Sequence, residues 1–90
     1  MDDQEFHKLL EQLHQEIEQS KNVDAYEKDL LRHLSGDIRE LLDRSESLPS
    51  QARPSMIQQL EEAVAYMEVT HPTVAATMSR LLAILSNAGV

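Results

Sequence analysis

A chain of 90 residues with eight basic and sixteen acidic side chains, net charge −8, fits a single domain and argues against nucleic acid or an anionic membrane surface as partner. It has no cysteine, which excludes disulfides, thiol nucleophiles and thiolate metal sites. One Phe and two Tyr leave an aliphatic core, and two Gly and three Pro are too few for a sheet-rich or disordered chain.

The charge is uneven. Residues 1–45 carry 6 basic and 12 acidic side chains, and residues 46–90 carry 2 and 4. The acidic half is expected to be the solvated one. The start, Met1-Asp2-Asp3-Gln4-Glu5, lacks the basic and apolar regions of a signal peptide. The longest aliphatic run, Leu81 to Leu85, is far short of a membrane span. A soluble cytoplasmic protein is expected.

The first helix is predicted from about residue 3 to 20, with Asp2 and Asp3 at its N-terminus. Phe6, Leu9, Leu10, Leu13 and Ile17 form an ordinary amphipathic face. Lys21-Asn22-Val23 is a short connection. Asp24 and Glu27 then have the spacing of a capping box, which opens a second helix over about 24–44. Leu31, Leu34, Ile38 and Leu41 form its seam, flanked by Leu30 and Leu42. So short a link implies an antiparallel hairpin. Gly36 interrupts the second helix and reads either as a close-packing site or as an exposed glycine.

Residues 45–53, with serines and Pro49, form the main break. The third helix, about 54–69, has a Met56, Leu60, Ala63, Met67 seam with Ile57 and Val64 beside it, and Ser55 and Gln58 at capping-box spacing. His71-Pro72 ends or bends it, because proline disfavours helix at the preceding residue. Pro72 suits the first turn of a fourth helix over 72–88, with Thr70 or His71 as cap. Its seam is Val74, Met78, Leu81, Leu85 and Ala88, widened by Ala75, Leu82 and Ile84, and Arg80 is its one charge. Such an apolar helix wants neighbours on more than one side, as the central helix of a bundle or as an assembly surface. Gly89 and Val90 suit a left-handed helix ending.

His7, Glu11, His14 and Glu18 share one stripe of the first helix, and Glu11-x-x-His14 has the spacing found in di-iron bundles. Imidazole nitrogen and carboxylate oxygen suit zinc or iron. A buried metal centre needs carboxylates from several helices, and the fourth helix has none. The stripe therefore reads as a solvated flank of i, i+4 pairs. Asp29, His33 and Asp37 read the same way. His71 reads as a cap or turn residue. Thr73, Thr77, Ser79 and Ser86 read as the polar side of the fourth helix, able to bond back to carbonyls one turn earlier. Nothing matches a nucleophile elbow, a phosphate-binding loop or another catalytic signature.

Four features occur together: Leu10-x-x-Leu13-His14-Gln15-Glu16-Ile17-Glu18, Leu31-Arg32-His33-Leu34-x-x-Asp37-Ile38, the His71-Pro72 turn, and Leu82-x-x-x-Ser86-Asn87-Ala88-Gly89-Val90. In these the chain resembles a family of small bacterial proteins, the domain-of-unknown-function family 4404. The resemblance covers nearly the whole chain. Thr73 stands where a basic residue is usual, and Val90 where isoleucine is. The family carries no assigned activity, so the resemblance transfers no functional residue. It implies a bacterial, helical, stand-alone domain.

The expectation is an all-α, four-helix up-down bundle of two antiparallel hairpins, completed by oligomerisation if the fourth helix stays uncovered. The expected function is a non-enzymatic interaction or self-assembly module, with a homo-dimer favoured and Val74, Met78, Leu81, Leu82 and Leu85 at the interface. The alternatives are a monomeric acidic adaptor for a basic partner protein, and a metal-binding protein using His7, Glu11, His14 and Glu18. No cofactor is expected.

Overall fold

The computed structural model describes residues 2–20, 22–43 and 54–88. They form four helices: α1 (Asp2–Gln19), α2 (Ala25–Asp43), α3 (Pro54–Met67) and α4 (Pro72–Ala88). The expected bounds differ at the ends by one or two residues. The 45–53 break and the Gly89-Val90 ending lie outside the described residues, as do the side chains of Asp2 and Asp3.

Each helix packs on its neighbours in the chain, and α4 closes the ring by packing on α1. The helices run up and down along the 34 Å long axis, which accommodates the ~28 Å of a 19-residue helix. Two contacts show the alternation. Tyr26 at the start of α2 meets Tyr66 at the end of α3 with ring centroids 4.7 Å apart. Gln12 of α1 reaches Thr77 of α4 at 3.5 Å.

The seams read from the sequence meet in one core. Phe6, Leu10 and Leu13 of α1, Leu34 and Ile38 of α2, Met56, Leu60 and Met67 of α3, and Met78 and Leu81 of α4 are all fully buried. Phe6 is its aromatic, since both tyrosines are more than 40% exposed. Hydrophobic burial of this aliphatic set drives the association of the four stripes.

In this ring no helix is central. α4 is one corner of a square, and its wide apolar arc is divided between α3 and α1. Val74, Ala75, Met78, Leu81 and Leu85 are buried, while Leu82 and Ile84 are only partly so. Thr77 is also buried rather than on a polar outer side. Its hydroxyl donates to the Thr73 carbonyl at 3.2 Å, as the one-turn back-bond predicts, and accepts from Gln12 Nε2.

The links explain the hairpins. After α1, the Ser20 hydroxyl donates to the Glu16 carbonyl at 2.7 Å, and Asn22 takes a left-handed φ of 62°. Asparagine tolerates that region better than other non-glycine residues. Between α3 and α4, His71 serves both helices. Its N–H donates to the Met67 carbonyl at 2.7 Å, and its carbonyl accepts from the Ala75 N–H at 3.0 Å. His71 is thus the N-cap and Pro72 the first helical residue of α4, two helices rather than one bent one. α3 begins at Pro54, which moves Ser55 from the expected cap into the first turn.

Gly36 lies exposed in the interior of α2, and an added Cβ would meet nothing within 4 Å. It serves no close helix approach. Gly36→Ala is expected to stabilise the fold by about 0.5–1 kcal/mol, through helix propensity and a less flexible unfolded chain. Thermal melting should rise by about 4–8 °C per kcal/mol in a domain of this size.

Candidate functional site

The His–Glu stripe of α1 closes into two separate pairs. His7 Nε2 lies 2.9 Å from Glu11 Oε1, and His14 Nε2 lies 2.7 Å from Glu18 Oε1. Both glutamates are mostly exposed, so the pairs contribute little to stability. Among the described residues no three His, Asp or Glu side chains gather where they could hold a metal ion. The geometry follows from the helix: i, i+4 residues meet each other on its surface. His33 behaves alike, its Nδ1 lying 2.8 Å from the Asp29 carbonyl one turn back.

The five residues assigned to an interface divide. Val74, Met78, Leu81 and Leu85 lie inside the core of the single chain, because α1 and α3 cover the α4 seam from both sides. Of these, Leu85 also borders an open groove. Leu82 alone of the five is partly exposed, and it lines an open groove of about 440 Å³ between α3 and α4 with Ile57 and Ala83.

A further cluster joins the start of α2 to the α3–α4 turn. The capping box is formed: the Glu27 N–H donates to Asp24 Oδ1 at 2.7 Å, and the Asp24 N–H donates to Glu27 Oε1 at 3.1 Å. The remaining oxygens of both carboxylates are used by the far end of the bundle. Glu27 Oε2 accepts the Thr70 hydroxyl at 2.8 Å, and Asp24 Oδ2 accepts the Tyr66 hydroxyl at 3.0 Å. His71 Nδ1 lies 3.1 Å from Thr70 Oγ1. Since the Thr70 proton is committed to Glu27, the network assigns a proton to His71 Nδ1. His71 Nδ1 is 3.6 Å from Glu27 Oε2, an ion-pair distance when the imidazole is protonated.

Glu27 is only 3% exposed. An unpaired carboxylate there would be costly, and the Asp24 N–H and the Thr70 hydroxyl offset its desolvation. The sequence showed the box but not its burial. Glu27 and Thr70 are 43 residues apart, and no local spacing connects them. The Thr70 hydroxyl stands between the Glu27 carboxylate and the His71 ring, and its hydrogen bond to Glu27 fastens the α3–α4 turn onto α2.

The Tyr66 phenol is held above its ordinary value of 10.0, first by its hydrogen bond to Asp24 and then by burial and the carboxylates of Asp24 and Glu27. A raised folded-state value means the bond contributes fully below the ordinary tyrosine range and is lost as pH rises through the folded value. In a Tyr26→Phe background Tyr66 is the single phenol. Its ultraviolet ionisation midpoint should lie above that of a free tyrosine, and Asp24→Ser should lower it while keeping a capping side chain. An unchanged midpoint would show that the bond does not persist in solution.

No helix among the described residues is long and apolar enough to cross a membrane. No curated protein matches the chain, and no solved structure matches it. One family model does match, over residues 6–90, and it covers all four seams, the capping box and the His71-Pro72 turn. The chain therefore belongs to the family described as a domain of unknown function (DUF4404).

Proposed function

We propose that this protein is a non-enzymatic interaction module that self-associates as a dimer through the outer surface between α3 and α4. The observation that carries this is the position of Leu82. It lines an open groove with Ala83 and Leu85 of α4, it is the partly exposed leucine of the two, and Ile57 of the neighbouring helix lies partly exposed beside it.

Charge supports the same face. Two copies of a chain with net charge −8 repel, so contact is least unfavourable where charge is sparsest. α3 and α4 together carry three charged side chains, Arg80, Glu62 and Glu61, the last at the groove itself, whereas residues 1–45 carry twelve acids. Such a dimer should tighten as salt screens the repulsion.

Light scattering over a dilution series tests this. Wild-type protein is expected at twice the 10.2 kDa chain mass at high concentration. Leu82→Asp should remain at the chain mass while staying folded. A wild-type monomer at every concentration would remove self-association. In that case the exposed acidic side chains of α1 and α2 become the sites at which to seek a basic partner.

A further inference from the structure

On the opposite side of the bundle, between the end of α1 and α2, lies an open groove of about 460 Å³. Its apolar lining is Ile17, Val23 and Leu31, and its rim carries Lys28, Arg32 and Arg39. In sequence the eight basic residues look scattered among sixteen acids. Folding places three of them on one stripe, because positions i, i+4 and i+11 lie within about 40° of each other around a helix.

None of the three side chains makes a hydrogen bond or ion pair with another described residue. The cations are thus available to a ligand. Gly36, between Arg32 and Arg39, leaves an open notch where a side chain would otherwise stand.

We propose that this groove binds a small single-chain amphiphilic anion, a medium-chain carboxylate. The head sits over Gly36 between Arg32 and Arg39, whose guanidinium forks match a carboxylate. The tail lies on Ile17, Val23 and Leu31, flanked by the aliphatic stem of Lys28. The volume falls within the range of small-molecule sites. The acidity of the rest of the chain selects for small size. A nucleic acid or a long acidic segment would extend past the three cations, over about 16 Å of helix, and meet repelling carboxylates. A ligand with one charge feels the local cations within a Debye length and little else. The apolar lining in turn selects against a bare inorganic anion.

Isothermal titration of decanoate, below its micelle concentration, into the full chain tests this. Decanoate should bind saturably, one per chain, and more weakly as salt is raised. Arg32→Ala and Arg39→Ala should each weaken binding about tenfold or more, as expected for loss of a charge-assisted bond. Both positions are exposed, so the fold should survive. Gly36→Gln should keep or raise thermal stability and abolish binding by filling the notch. Decyltrimethylammonium and inorganic phosphate should not saturate. Four results would overturn the proposal: no saturable decanoate binding, unchanged binding in all three variants, equal binding of the cationic amphiphile, or tighter binding of polyglutamate. The last would assign the groove to an acidic protein segment. The outcome is independent of self-association, which uses the opposite face.

Discussion

Leu81→Asp is expected to leave the chain unfolded at room temperature, while Leu82→Asp, one residue further on, is expected to leave it folded. Leu81 is fully buried, and Leu82 is partly exposed at a groove. Loss of the Leu81 side chain costs about 2–5 kcal/mol in transfer and cavity terms. A carboxyl group in the same place adds several kcal/mol, whether it stays charged or takes up a proton. The total stability of a domain this size is about 5–13 kcal/mol, and its small core favours the low end. The two costs together therefore match or exceed it.

At position 82 water reaches the new carboxylate, and the loss should stay within about 1–2 kcal/mol. Far-ultraviolet circular dichroism with urea titration separates the two variants. If Leu82→Asp unfolded the chain and Leu81→Asp did not, the α4 face assigned to the core would be wrong. The pair also isolates the self-association test, because a monomeric Leu82→Asp protein is informative only if folded.

Glu27→Ala is expected to cost about 2–4 kcal/mol, far more than an average substitution at a helix start. It removes the reciprocal capping bond to the Asp24 N–H and the acceptor of the Thr70 hydroxyl. The cap accounts for about 0.5–2 kcal/mol and the charge-assisted bond for about 1.5–3 before relaxation. Glu27→Gln keeps an acceptor oxygen without the charge and should lose about half as much. Thr70→Val completes a double-mutant cycle, in which a coupling of about 1–2 kcal/mol with Glu27→Ala is expected. A loss for Glu27→Ala within about 0.5 kcal/mol, the range of ordinary surface changes, would show that the carboxylate is not held in this cluster.

The cluster gives the His71-Pro72 pair a physical reason. The backbone of His71 closes α3 and opens α4, and its ring stands against Thr70, which holds Glu27. A tight turn between two helices exposes carbonyls and N–H groups that need partners. Here the same residue supplies both, and the turn is fastened to α2. The chemistry is that of a structural fastening. The surfaces proposed for binding lie elsewhere, one at Leu82 and the other where Lys28, Arg32 and Arg39 stand over apolar side chains.

By itself the sequence determined the secondary elements and their inward faces. Helix period is a local property, so the apolar stripes could be read directly, and the residues of the α2 and α3 seams are the ones found buried. The Asp24–Glu27 box was legible for the same reason, since both partners lie within one turn. So were the His7–Glu11 and His14–Glu18 pairs, whose i, i+4 spacing suffices to join them.

Only the tertiary structure decided how the stripes are shared. The apolar width of α4 is the same whether a second copy or two neighbours in the chain cover it. Packing against α1 and α3 buried Val74, Met78, Leu81 and Leu85 and left Leu82 partly exposed. The hydrogen bond from Thr70 to Glu27 and the basic groove over Ile17, Val23 and Leu31 belong to the same class. They join residues on different helices, and no periodicity along one helix carries information about its neighbour. Contacts within a turn are set by backbone geometry. Contacts between helices are set by which faces exclude water together, and that is a property of the folded chain.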